Sequence, residues 1–277
     1  MSALSAVQAA PEVTTPDVIW PTVETLGRTA PSAVRLNRVT KVFGRDENRL
    51  HVLDEINLSV APGEFVCLLG ASGCGKSTLL SLVAGLEDPT SGGVDVPGGR
   101  PALMFQEPAL FPWLTAGENV ELALRLRGVD RKARRQESQR LLELVHLTGV
   151  HKKRVHELSG GMRQRVALAR ALAQESQVLL MDEPFAALDA ITRDVLHVEL
   201  MRIWQETGLS VVFVTHNVRE AVRLGQRVVL MSSRPGRFVR QWRVDIPQPR
   251  RIEDKAVADL AVEITDDLRR EIRRHGR

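Results

Sequence analysis

One stretch of nine residues, Gly70-Ala71-Ser72-Gly73-Cys74-Gly75-Lys76-Ser77-Thr78, constrains this chain more than any other. A short apolar run, Phe65 to Leu69, leads into it, and a second apolar run, Leu79 to Leu86, leads out. That order reads as strand, glycine-rich turn, helix, and it matches the phosphate-loop pattern G-x-x-x-x-G-K-[ST]. Glycines let successive backbone N–H groups turn inward around a phosphate, and the helix N-terminus adds partial positive charge. Lys76 is placed to reach the β- and γ-phosphates of a nucleotide, and the Ser77 hydroxyl to ligate Mg²⁺. At ordinary glycine usage a chance match in a chain of this length arises on the order of 1 time in 100. A ligand-free glycine turn is the competing reading, and the strand–helix setting argues against it.

The bulk properties set the surroundings. At 277 residues, 43% hydrophobic and 26% charged, the chain has the balance of a globular protein with ample length for a buried core. No apolar run approaches the length needed to cross a bilayer, and Met1-Ser2-Ala3-Leu4 lacks the basic and apolar stretches of a secretory signal. The two cysteines, Cys67 and Cys74, crowd the phosphate loop and read as free thiols in a reducing compartment. A net charge of +4 suits an anionic ligand but is too weak to argue for nucleic acid. Residues 1–33, with their prolines, threonines and small residues, read as a disordered or loosely packed extension.

Further along, functional residues fall at the ends of elements. Val34 to Val39 and Asn57 to Val60 alternate as antiparallel strands, and Phe43 after the first offers a π face to a nucleotide base, core packing being the alternative. Pro101 to Phe105 reads as a strand ending in Gln106, whose amide can ligate Mg²⁺ or orient a water. Residues from about 108 to 175 read as mostly helical. Within them Phe111 and Trp113 lie in an exposed loop, and Arg131 to Arg135 form a solvated basic face. Leu158-Ser159-Gly160-Gly161-Met162 opens a helix running from Arg163, a second start able to hold an anion. Val178 to Met181 is a continuous apolar run of the buried parallel type, delivering Asp182 as a metal ligand and Glu183 as a base for water. Leu209 to Thr215 delivers His216 to the same rim.

Taken together these residues resemble the ATP-binding subunit of ABC transporters, over roughly residues 34 to 240. The phosphate loop looks like Walker A, Gln106 like the Q-loop glutamine, and Leu158 to Met162 like the signature. Asp182 and Glu183 resemble Walker B with its catalytic glutamate, Ala187-Leu188-Asp189 the D-loop, and His216 the switch histidine. The resemblance implies an α/β fold, a P-loop NTPase of the ABC ATPase type. It would have a RecA-like core, a small antiparallel β subdomain and an inserted helical signature subdomain, all within 34–245. It implies ATP and Mg²⁺, with Phe43, residues 70–78, Ser159, Gly160, Gly161 and Asp189 around the nucleotide. Ser77, Gln106 and Asp182 would lie on the metal, and Glu183, His216 and Gln106 would act in hydrolysis. It implies a head-to-tail homodimer, transmembrane permease subunits, indirectly a solute-binding protein, no nucleic acid, and a peripheral place on the cytoplasmic face of the inner membrane. Phe43 stands where many relatives have tyrosine, and Asn217 where aspartate is common.

Three segments narrow the resemblance to importers of the nitrate/sulfonate/taurine type: Phe105 to Thr115, Asp182 to Asp189, and Met231 to Arg237. Two other classes compete. A soluble ABC ATPase acting on nucleic acid or ribosomes usually carries tandem domains or long coiled coils, and a small-molecule kinase has no use for a second anion-holding helix start. In the tail, 246–277, Val257, Leu260, Ile264, Leu268 and Ile272 fall at helical spacing and are expected to pack on the ATPase core, with arginines late in the helix.

Overall fold

The computed structural model describes residues 31–44 and 46–275. The extension expected over residues 1–33 therefore lies outside the described residues up to residue 30. Just after it, Ala33 is buried and its N–H bonds the Val60 carbonyl.

Two sheets organise the chain. Strands β1 (Val34–Phe43), β2 (Leu50–Val60) and β4 (Ser91–Asp95) form an antiparallel sheet in the order β2-β1-β4. The strands β3 (Phe65–Gly70), β5 (Ala102–Met104), β6 (Val178–Asp182), β7 (Ser210–Thr215), β8 (Arg227–Met231) and β9 (Phe238–Arg243) form the larger sheet in the order β5-β6-β7-β3-β8-β9. All its pairs are parallel except β8 with β9. β3 and β7 are buried along their whole length, as strands covered on both faces must be. Phe65, Phe185 and Phe213 meet in the core at ring distances of 5.9 and 6.0 Å, each fully buried ring contributing roughly 1.5–3 kcal/mol.

The helices are α1 (Lys76–Val83), α2 (Ala116–Leu126), α3 (Arg131–Leu144), α4 (Gly160–Leu172), α5 (Ala190–Thr207), α6 (Val218–Leu224) and α7 (Lys255–His275). α2, α3 and α4 are inserted between β5 and β6 and pack on one another, and α4 also packs on β5. α4 begins at Gly160 rather than Arg163, because Ser159 caps it by accepting the Met162 N–H at 3.3 Å. The arrangement is an α/β core with a small antiparallel sheet and an inserted three-helix region, the one implied by the resemblance. No helix among the described residues is long and apolar enough to cross a membrane.

The tail helix packs on the core through four of the five stripe positions. α7 packs on α6, and Val257, Ala261 and Ile264 are buried, but Ile272 is 48% exposed. Leu260 and Leu268 pack on the same core and Asp267 and Glu271 are buried further along, so the helix stays on the body of the protein into its last turns, with Ile272 turned outward.

Candidate functional site

Parallel strands bring their C-terminal ends to one rim, and the chemistry-bearing residues gather there. β3 ends at Gly70, β6 at Asp182 and β7 at Thr215, with β7 between the other two. The loop from Gly70 to Gly75 leads straight into α1, whose N-cap, Gly75, lies at φ 100°. Only glycine adopts that angle without strain, and a Cβ there would stand 2.7 Å from Leu53 Cδ2.

Lys76 is 5% exposed. Its ammonium folds back over the loop, donating to the carbonyls of Gly70 at 2.9 Å and Ala71 at 3.0 Å. It also stands 3.9 Å from Glu183 Oε1. The other Glu183 oxygen meets His216 Nδ1 at 2.8 Å, with the imidazole itself exposed. Glu183 holds a left-handed φ of 43° while its N–H still bonds the Val214 carbonyl at 3.0 Å. That conformation costs a non-glycine residue on the order of 1–3 kcal/mol. It turns the carboxylate off the strand line and across the rim.

Burial pushes the Asp182 carboxyl above its usual range, a hydrogen bond with the Ser77 side chain opposes the shift, and the neighbouring Glu183 charge reinforces it. A hydroxyl beside a half-buried carboxylate is a pair of hard oxygen donors suited to Mg²⁺. No cluster of three or more acidic, histidine or cysteine ligands exists among the described residues. Mg²⁺ held with substrate phosphates needs only one or two carboxylates, so the donor set fits. Gln106 leaves β5 on the same rim. Met104 stands opposite Met181 in the parallel register, which sets Gln106 just beyond the level of Asp182. Cys74 is buried, its thiol raised by that burial and drawn back by Lys76.

Phe43 ends β1, 37% exposed, with the Lys41 ammonium 4.7 Å from its ring centroid. Ser159, Gly160, Gly161 and Asp189 contact a different neighbourhood. A Cβ on Gly161 would fall 2.6 Å from Thr192 Cγ2, and one on Gly160 would fall 3.9 Å from Leu188 Cδ2. The start of α4 thus lies against the start of α5. Asp189 caps α5 by accepting the Thr192 N–H at 2.9 Å, and that bond lowers its carboxyl pKa. Asn217 caps α6 through the N–H groups of Arg219 and Glu220, doing the work expected of aspartate.

Sequence reasoning passed over Gln164. It is buried in α4, and its amide donates to the Gln106 carbonyl at 3.0 Å and to the Pro184 carbonyl. One side chain joins α4 to the loops that follow β5 and β6. Its position one turn beyond Gly160 was the available signal.

Near Gln106 the loop presents Trp113, 68% exposed, its ring tilted at 49° against Phe111 with centroids 5.4 Å apart. With Leu122, Arg125 and Arg134 they border a groove of about 350 Å³.

Known proteins resemble this chain over most of its length. The profile of the ABC transporter family matches residues 53–186. The taurine import ATP-binding protein TauB of Burkholderia pseudomallei is 47% identical over 215 residues, covering 75% of this chain and 83% of that protein. The nitrate import ATP-binding protein NrtD of a Synechocystis species is 44% identical over 221 residues, covering 77% and 83%. Among solved structures, the dimeric post-hydrolysis state of the ATP-binding cassette MJ0796, bound to ADP and Pi, superposes with a TM-score of 0.69 at 33% identity. It covers 77% of this chain and 100% of that one.

Proposed function

The chain belongs to the ABC transporter ATP-binding family, and we propose that it is the ATP-hydrolysing subunit that energises an importer of a small solute of the taurine, sulfonate or nitrate kind. The observation that carries the reading is the rim where Lys76, Glu183 and His216 meet beside the Ser77–Asp182 pair. The relatives named for taurine and nitrate import support the solute class.

In this reading the phosphate loop, residues 70–78, holds the nucleotide phosphates by its N–H groups and Lys76, and Phe43 stacks on the adenine. Ser77, Asp182 and Gln106 would hold Mg²⁺, which when bound supplies charge neutralisation on the phosphate oxygens. Glu183 accepts a proton from the attacking water, and His216 orients that carboxylate and contacts the γ-phosphate. Ser159, Gly160, Gly161 and Asp189 serve the nucleotide of a second copy in a head-to-tail dimer; that the MJ0796 cassette is dimeric supports the pairing of two copies. The Phe111–Trp113 groove receives the permease at the cytoplasmic face of the inner membrane, an exposed aromatic patch being the kind that marks a protein contact.

The test is light scattering on Glu183→Gln, with and without ATP and Mg²⁺. The variant should lose turnover by about 10²-fold or more, keep its nucleotide and shift from monomer to dimer with ATP. A stable monomer that hydrolyses ATP at the wild-type rate would refute the roles given to Glu183 and to the second copy. Nothing in the site favours a nucleic-acid reading.

A further inference from the structure

The turn between β8 and β9, residues 232–237, is built onto the phosphate loop. Ser232 ties it internally, its N–H donating to the Arg237 carbonyl at 2.8 Å and its hydroxyl to the Pro235 carbonyl at 3.1 Å. Gly236 joins it to β2, through its N–H to the Val52 carbonyl at 2.8 Å and its carbonyl from the Asp54 N–H at 3.0 Å. The Arg237 guanidinium closes the same seam on Asp54. On its other side Gly236 presses on the phosphate loop so closely that a Cβ would fall 2.2 Å from the Cys74 carbonyl oxygen. Backbone cannot give way as a flexible side chain does, so the turn and the loop hold one relative position.

Arg234 rides on this turn, at a left-handed φ of 34°. Its Nη2 lies 3.6 Å from where a Cβ on Gly73 would stand. The guanidinium is exposed and has no hydrogen-bond or ion-pair partner among the described residues. The other arginine of the turn, Arg237, is committed to Asp54, and Lys76 is committed to loop carbonyls. A free, rigidly based guanidinium therefore stands at the edge of a loop made to bind phosphate. The charge balance there calls for one. Asp182 and Glu183 place two carboxylates on the rim. A nucleoside triphosphate adds more negative charge than one lysine and one divalent cation neutralise.

We propose that Arg234 is a second phosphate-contacting cation of the nucleotide site, reaching past Gly73 to the phosphate chain. The proposal rests on the reading of residues 70–78 as the nucleotide site. Arginine suits the task because its fork can pair with two phosphate oxygens at once, and because its charge is permanent.

Calorimetric titration of the full chain with AMP, ADP and a non-hydrolysable ATP analogue tests it, on wild type, Arg234→Ala, Arg234→Lys and Lys76→Ala. Arg234→Ala should weaken the triphosphate about tenfold, the diphosphate less and the monophosphate hardly at all. Arg234→Lys should restore part of the loss, as a point charge without the fork. Affinities in Arg234→Ala equal to wild type for all three would overturn the proposal. So would a uniform loss across the three with a lowered melting temperature, which would mark a structural role in the turn. Intact affinities with a lost ATP-dependent dimer would overturn it too, assigning Arg234 to the second copy. The two readings fail separately. Wild type that binds none of the nucleotides removes the site itself, whereas binding abolished by Lys76→Ala and untouched by Arg234→Ala removes only the role of Arg234.

Discussion

At the scale of single residues, the site is a set of charges that hold one another in check. Lys76 rests on two loop carbonyls and on the flank of Glu183, and Glu183 rests on His216. A phosphate group offers the ammonium a stronger partner than neutral carbonyls do. Lys76→Ala should therefore cost nucleotide affinity by tenfold or more, on the order of 1.5–3 kcal/mol for a charged hydrogen bond, measurable by nucleotide titration. Unchanged affinity would remove the lysine from the site. These residues were legible because the chemistry dictates residue type and spacing together, so the glycines, Lys76 and Ser77 announce themselves. Gln164 and Arg234 were not legible. Each matters for where its side chain ends up, against Pro184 and Gly73 respectively, and neither contact is local in the chain.

At the scale of elements, α2 carries the clearest local instruction. Thr115 accepts the Glu118 N–H at 3.2 Å, and Glu118 accepts the Thr115 N–H at 2.7 Å, a complete capping box. Thr115→Ala should destabilise the protein by about 1 kcal/mol in denaturant melts. The Thr115 N–H lowers the Glu118 pKa, so the stabilisation is present above the ordinary carboxylate value and is lost as pH falls through the lowered folded value. Glu118→Gln should flatten that acid-side fall, and an identical pH profile would count against the box. Other elements gave no such local sign. Ser91–Asp95 contains two glycines and reads as a turn, yet it becomes β4 because β1 offers it an open edge. β8 and β9 were passed over, since Phe238–Arg243 breaks the alternation with adjacent Arg240 and Gln241, and it is ordered by distant partners: the strand Arg227–Met231 and the α7 carboxylates Glu263 and Asp267. Arg250, which carries no local signal in the sequence, is buried with its guanidinium on the carbonyls of Val222, Gly225, Val244 and Ile246, closing the C-terminal end of α6.

At the scale of the whole molecule, the parallel order of the sheet collects residues from Gly70 to His216 on one rim, while the start of α4 and the start of α5 form a second cluster. In the proposed dimer the first cluster serves the chain's own nucleotide and the second serves its partner's. The Gln164 amide spans the two, anchoring the helix that begins at Gly160 to the carbonyls beside Gln106 and Glu183. Each chain then weighs two ligands on one beam. In that dimer, any bias that occupancy at one site puts on the other would run both ways by reciprocity. The rate of hydrolysis should rise with ATP along a sigmoid of Hill coefficient approaching about two, flattening toward about one in Gln164→Ala with nucleotide affinity kept. On that reading a pair of such chains counts to two before it acts.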